Sequence, residues 1–346
     1  MIDVEEIYMR RALQLARLGE GAVSPNPMVG AVIVHSGKII GEGYHRKFGT
    51  AHAEVNAIAA VANKSLLKES TLYVTLEPCS HYGKTPPCSK LIINDEIPRV
   101  VVGCLDPYAK VSGRGVAMLR EADVKVTLGV LENECRAVNE HFMTAHTLQR
   151  PFVILKWAQS ADGYIDSTRN DCGSQVIFSN AVTTMWTHRE RAECDAIMVG
   201  SNTVITDNPS LTVRNWVGRN PIRVVIDRQD VVPNDSRLLS DGGKTIIFST
   251  QESHKSGSVE YIAIDQYNDV LLQVLKELYS RNITSLMVEG GAKLLNAFIK
   301  SELWDIARIE KSPAVLDDGV AAPIITGEVT KVEIHGDNVI EFMKCS

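Results

Sequence analysis

Residues 49–88 read GTAHAEVNAIAAVANKSLLKESTLYVTLEPCSHYGKTPPC. Three side chains in this stretch can hold one zinc ion: His52, Cys79 and Cys88. One imidazole and two thiolates leave the fourth tetrahedral position open, the arrangement of a catalytic ion rather than a structural one. Such an ion brings the pKa of bound water toward about 7. Glu54, two places after the histidine, is a poor ligand and a good proton carrier. Residues 53–62 are alanine-rich and read as a helix, so His52 and Glu54 stand at its start. Positions i and i+2 point roughly 200° apart on a regular helix. Both serve one metal site only in the first turn, with the glutamate reaching water, not the ion. Residues 72–76 read as a strand, and Cys79 follows it. A metal site at helix N-termini also suits thiolates, because the positive end of the helix dipole favours them.

The order His52-Ala53-Glu54, then Pro78-Cys79, then a further cysteine is that of zinc nucleobase deaminases. Here the second cysteine follows after eight residues instead of the usual two. That longer loop, with TLEPCSHYGKTPPC as a whole, resembles the deaminase half of the bifunctional deaminase-reductases of riboflavin synthesis, the RibD family. The resemblance implies an α/β chain whose residues 1–146 form a cytidine-deaminase-like three-layer domain. It also implies His52, Cys79 and Cys88 as zinc ligands and Glu54 as the catalytic residue.

The pattern around this stretch agrees. Tyr8, Ala12, Leu15 and Ala16 share one face of a helix over residues 5–18, ended by Gly19 and Gly21. SPNPMVG (24–30) opens with a two-proline turn, residues 28–34 read as a buried strand, and Ser36-Gly37 turns into a returning strand, 38–44. Strands at 100–104 and 124–128 alternate with helices at 113–121 and 131–145, which argues for a sheet covered by helices. Asn26, His45 and Lys84 lie near the zinc residues in chain order and are candidates for contacting a phosphorylated substrate. The resemblance adds most to Asn26, since SPNPMVG belongs to the shared motif.

Gln149-Arg150-Pro151 reads as a linker to a second domain, 151–346, with its first strand at 152–157. No G-x-G-x-x-G fingerprint occurs, which excludes a standard dinucleotide-binding turn. Residues 286–289 read as a strand, Gly290-Gly291 lets the backbone approach a ligand, and 292–299 read as a helix whose N-terminal amides suit a phosphate. Together with SNTVITDNPSLTVR (201–214), this resembles the reductase half of the same family. The resemblance implies a dihydrofolate-reductase-like fold and NADPH as cofactor. It places Ala158, Ile177, Thr203, Asp207 and Arg228 at the cofactor, with Gly291, Ala292, Lys293, Leu294, Leu295, Asn296 and Ala297 as the cofactor-phosphate turn. It places Ser174, Arg191, Leu211, Arg214 and Glu289 at the ribosyl-phosphate substrate. Forked arginine donors suit a phosphate. Lys156, at the end of the first strand, is a further substrate candidate. The chain departs from the family in CGSQVIF (172–178), where a tryptophan is replaced and Ile177 takes its place, and in lacking Pro-Lys-Leu-x-Gly near the C-terminus.

The 346 residues suit two ordinary domains. With 45% hydrophobic and 23% charged residues the chain can bury large cores. A net charge of −6 without a Lys/Arg run argues against nucleic acid as partner, and no apolar run spans a membrane. Seven cysteines without a disulfide-like pattern fit a reducing cytoplasm. The implied activity is zinc-dependent deamination of a pyrimidine ribosylamino phosphate, then NADPH-dependent reduction of its ribosyl group to ribityl. Members of the family tend to associate through the reductase half, which implies a homo-oligomer. Two rivals are a nucleoside or nucleic-acid deaminase with an unrelated tail, and a structural zinc module on an NADPH-sensing domain. The acidic charge disfavours the nucleic-acid version of the first, and Glu54 the second, because a structural zinc needs no acid–base partner.

Overall fold

The computed structural model describes residues 3–82, 86–107, 112–168 and 175–345. Lys84 and Ser174 fall outside them. The chain divides into two compact units, Met1–Gln149 and Arg150–Ser346. No helix among the described residues is long and apolar enough to cross a membrane.

The first unit runs α1 (Val4–Arg17), β1 (Gly30–His35), β2 (Lys38–Tyr44), α2 (Ala53–Ala60), β3 (Thr71–Leu76), α3 (Cys88–Asn94), β4 (Arg99–Cys104), α4 (Arg114–Glu121), β5 (Lys125–Leu128), α5 (Glu132–Val138) and α6 (Glu140–Leu148). Its sheet has the order β2-β1-β3-β4-β5. The first three strands pair antiparallel and the last three parallel. Alternation along β1 builds both faces. Ala31 and Ile33 pack into a core with Ala57 of α2, Ile92 of α3 and Leu119 of α4. Val32 and Val34 join Met9, Ala12 and Leu13 of α1 and Cys135 of α5 on the other side. The result is the expected three-layer unit, helices on both faces of one sheet.

Two of the differences from expectation bear on the site. The strand expected from residue 28 begins at Gly30, and the single helix expected over 131–145 is two, α5 and α6, broken at Asn139. Asn139 is diverted from helix to loop. Its Oδ1 accepts from the Met28 N–H at 2.7 Å and its Nδ2 donates to the Met28 carbonyl at 2.8 Å. Met28 finds its partner there rather than in the sheet.

The second unit runs β6 (Phe152–Gln159), β7 (Tyr164–Asp166), α7 (Ala181–Glu193), β8 (Ala196–Gly200), α8 (Ser201–Asp207), β9 (Ile222–Ile226), α9 (Arg237–Ser240), β10 (Thr245–Ser249), β11 (His254–Ser256), β12 (Val259–Ala263), α10 (Val270–Ser280), β13 (Ser285–Gly290), α11 (Ala292–Lys300), β14 (Ile306–Lys311), β15 (Val320–Ala321), β16 (Glu328–His335) and β17 (Asn338–Lys344). Ten strands form one sheet, β11-β12-β10-β9-β8-β13-β6-β14-β17-β16. From β12 to β14 every neighbour is parallel, and antiparallel strands close both ends. Val153 and Leu155 of β6, Met198 of β8 and Leu286 and Val288 of β13 share a core with α10 and α11. The C-terminal hairpin β16–β17 is absent from the sequence-based expectations; its outer strand carries exposed Val329, Val332 and Ile334. The segment read as a linker is tied down: Arg150 binds Asp305 through Nη1 and Nη2 at 2.6 and 2.9 Å.

Candidate active sites

In the first unit, three chain turns converge. His52 is the N-cap of α2, its backbone extended and its side chain free of capping duty. α2 lies tight on β2 because Gly41 and Gly43 leave room: a Cβ on Gly43 would meet the Ala57 amide nitrogen at 2.3 Å. Cys79 follows β3 across Pro78, and Cys88 opens α3. His52 Nδ1 stands 3.6 Å from Cys79 Sγ and 3.4 Å from Cys88 Sγ. All three donor atoms lie within 4.8 Å of one another. Metal bonds of about 2.1 Å to nitrogen and 2.3 Å to sulfur, at a tetrahedral angle, require a separation of roughly 3.6 Å. The donor set therefore fits zinc in type and in span. The Cys88 thiol, then His52 and the Cys88 backbone N–H, which donates to Cys79 Sγ at 3.2 Å, pull Cys79 well below the usual thiol range.

Glu54 sits in the first turn of α2 and is 3% exposed. Burial, and next the charge on Cys79, push its carboxyl up to about 7. A group near neutrality can both take and give a proton.

Beside His52, His45 is buried, with Nδ1 3.1 Å from the Ala51 carbonyl and Nε2 3.3 Å from Asn26 Nδ2. Those partners assign the proton to Nδ1 and make Nε2 an acceptor from the Asn26 amide. Burial lowers His45 and keeps it neutral, and its ring meets that of His52 edge-on at 5.5 Å. The structure thus brings Asn26 and His45 together next to the zinc residues.

In the second unit, a cavity of about 1030 Å³ opens where the parallel strands β6, β8, β9 and β13 end. Carboxyl ends of parallel strands are where open α/β sheets bind ligands. Lys156, Ala158, Ile177, Arg191, Thr203, Asp207, Arg214, Arg228 and Glu289 all line it, as do Gly291, Ala292, Lys293, Leu294, Leu295 and Ala297. Leu211 and Asn296 stand apart from this wall. Leu211 is 4% exposed within a core cluster, and Asn296 lies on the solvent side of α11. The turn before α11 needs its glycines: a Cβ on Gly290 would meet Thr203 Cγ2 at 3.0 Å, and Gly291 has φ of 80°.

The charges here are paired by chain segments far apart. Arg191 donates to Glu289 through Nε and Nη2 at 2.7 and 2.6 Å and to the Thr212 carbonyl at 3.2 Å. Burial works against ionising Glu289, yet Arg191 outweighs it and holds the carboxyl at about 2. Arg308 stands directly opposite Lys156 on neighbouring strands, and Arg308 Nε lies 2.9 Å from Glu190 Oε1. Burial lowers Lys156, with Arg308 adding to the effect and Glu289 opposing it. The Arg214 backbone N–H donates to His188 Nδ1 at 3.0 Å. The wall that carries Ile177 is held from behind. Asn338 Nδ2 donates to the Phe178 carbonyl at 2.9 Å and to Glu310 Oε1 at 2.6 Å, and Ser179 Oγ donates to Glu310 Oε2 at 2.8 Å.

Sequence inspection found Arg191 but overlooked Thr184, Thr187 and His188, the rest of the cavity face of α7. Thr184, Thr187, His188 and Arg191 all line the cavity, at the i, i+3, i+4, i+7 spacing that marks one helix face. Arg308 and Glu190 left no local signal, because only strand register brings Arg308 to Lys156.

Residues 3–104 match the cytidine and deoxycytidylate deaminase zinc-binding region, and residues 151–340 match the RibD C-terminal domain. Fold and site together define a two-headed enzyme, a zinc deaminase unit joined to a reductase unit. The riboflavin biosynthesis protein RibD of Aquifex aeolicus is 40% identical, with 99% of each chain covered. That of Escherichia coli is 35% identical over 90% of this chain and 88% of its own. The crystal structure of a Thermotoga maritima diaminohydroxyphosphoribosylaminopyrimidine deaminase/5-amino-6-(5-phosphoribosylamino)uracil reductase is 37% identical, with a TM-score of 0.89 and 99% of each chain covered. The chain belongs to the RibD family, bifunctional deaminases and reductases of riboflavin biosynthesis.

Proposed function

We propose that the first unit deaminates a diaminopyrimidinone ribosylamino 5′-phosphate and that the second reduces the ribosyl group of the product to ribityl with NADPH. The Thermotoga relative carries both activities in its name. The observation that carries the deaminase assignment is the donor geometry: His52 Nδ1 3.6 and 3.4 Å from two cysteine sulfurs, with buried Glu54 two residues along.

His52, Cys79 and Cys88 would hold a zinc ion, which would supply the Lewis acidity that makes water a nucleophile near neutral pH. As a water oxygen bonds to the amine-bearing carbon and the C–N bond breaks, Glu54 takes the water's proton at its carboxylate oxygen and passes it to the departing amine, which leaves as ammonia. Asn26, fixed by His45, orients the pyrimidine or its phosphate, with Lys84 a further contact. Burial of Glu54 keeps bulk water from competing for its proton.

In the second unit NADPH, when bound, would supply hydride. The Gly290-Gly291 turn and the start of α11 offer backbone N–H groups to its phosphates, and Thr203, Asp207, Ala158, Ile177 and Arg228 line its path. Arg214 takes the substrate phosphate. Glu289, kept ionised and oriented by Arg191, accepts from sugar hydroxyls, and Lys156 faces the same end of the cavity. Ser174 belongs to the same proposed contact set. We place the protein in the cytoplasm, acting on this small phosphate rather than on nucleic acid, as a homo-oligomer.

The test is one assay: purified chain with zinc, the diamino substrate and NADPH. Ammonia release followed by loss of the nicotinamide absorbance band is expected. Release without NADPH consumption would remove the reductase assignment, and no release would remove the deaminase assignment.

A further inference from the structure

The N-cap of α4 is Gly113, a residue with no side chain to cap the helix. The first N–H groups of a helix have no partner within it. Here a carboxylate from the zinc-ligand segment serves them. Glu77 Oε2 accepts from Gly113 N–H at 2.9 Å and from Asp106 N–H at 3.3 Å, and Oε1 accepts from Gly115 N–H at 2.9 Å and Val116 N–H at 3.2 Å. Glu77 is 4% exposed, so these four donors take the place of its water. The positive end of the α4 dipole faces the buried charge.

Glu77 stands two residues before Cys79. Its own N–H donates to the Cys104 carbonyl at 3.0 Å, which fixes its backbone to the end of β4. α4 then rests on the next residue: a Cβ on Gly115 would lie 2.0 Å from the Pro78 carbonyl oxygen. From the other side, buried Ser89 donates through Oγ to the Pro78 carbonyl at 3.2 Å and to the Cys79 carbonyl at 2.8 Å. Its N–H donates to the Cys79 carbonyl at 3.2 Å. The turn that presents Cys79 is therefore clamped between the starts of α3 and α4.

We infer that Glu77 is a positioning residue of the metal site: its carboxylate caps α4 from another part of the chain and so sets the Pro78–Cys79 turn for the ion. The charge matters as well as the shape. An amide in its place offers one acceptor oxygen and an NH₂ that would face N–H donors. The inference rests on the zinc assignment proposed above.

The test uses the full chain carrying Glu77→Gln. Zinc affinity is measured by chelator competition, and the geometry of the site by the ligand-field absorption of cobalt-loaded protein. Affinity at least tenfold weaker with a shifted cobalt spectrum is expected, while reduction of pre-deaminated substrate keeps its rate. A purely structural loss would lower the thermal midpoint but leave the cobalt spectrum of the folded protein unmoved. Affinity within twofold of the unaltered chain, with an unmoved spectrum, overturns the inference. If Glu77→Gln yields no folded deaminase unit, Glu77→Asp takes the same two measurements; it keeps the charge and shortens its reach, and the same outcomes decide. An unaltered chain that binds no zinc would instead overturn the zinc assignment itself.

Discussion

Glu54 and Glu289 are both buried carboxyls near a cation or a cation site, and their environments push them in opposite directions. Glu54 is raised to about 7 by burial, whereas Arg191 holds Glu289 at about 2. The first suits a group that moves protons, the second a fixed charge. Glu54→Gln should retain zinc and lose deamination by about 10²- to 10⁴-fold, the usual weight of a general acid–base group. Metal content and ammonia release measured on one sample check this; ammonia release near the native rate would take Glu54 out of the mechanism. For Glu289 the pH dependence has a definite sign. A folded value of about 2 against an ordinary value of 4.5 means the unfolded chain binds the proton more tightly. Its contribution to stability is complete above the ordinary value and disappears as the pH falls toward the folded one. Glu289→Gln should therefore melt lower than the native chain at pH 7, and the gap should narrow as pH falls below about 4.5, readable by calorimetry. A gap that does not change with pH would mean the pair adds no ionic stability.

At the scale of elements, the site depends on how loops are anchored. The SPNPMVG turn that carries Asn26 is pinned by Asn139 at the break between α5 and α6, through two hydrogen bonds to Met28. Asn139→Ala strands a partly buried backbone donor and acceptor, which costs up to about 1–3 kcal/mol for each group. The expected outcome is a deaminase unit that unfolds at lower denaturant, with the Michaelis constant for the diamino substrate raised about fivefold or more and zinc content unchanged. An unchanged Michaelis constant would separate the loop from substrate binding. The spacing of Tyr8, Ala12, Leu15 and Ala16 and the β-branched run after Met28 made most elements of this unit visible beforehand. The break at Asn139 was not visible, since a single weak helix former in a run of this kind costs too little to end a helix by itself. A long-range pair of hydrogen bonds competes there with local propensity.

Across the whole molecule, each unit has its own cores: the first unit's clusters stay within residues 8–143 and the second unit's within 153–345. Separate cores allow separate unfolding. Zinc bound to the folded state alone stabilises it by mass action. Removing zinc with a chelator, or replacing Cys88 by Ser, should lower one calorimetric transition and abolish deamination, while the other transition and reduction of pre-deaminated substrate persist. Loss of both activities in a chain whose second transition is intact would refute separate sites.

His52, Glu54, Cys79 and Cys88 could be picked out from order and residue type alone, because metal chemistry admits few donors and the carrier of protons has to stand beside them. The Gly290-Gly291 turn was legible for a similar reason: backbone approach to a ligand excludes side chains. Other features were decided only by the tertiary structure. Glu77 reaches the start of α4 across 36 to 39 residues of chain, and Arg191 reaches Glu289 across 98. Strand register alone sets Arg308 beside Lys156. Local sequence records the propensity of each segment and the chemistry of each side chain. It does not record which buried charge will meet which unpaired amide, because that depends on the layers closing around both.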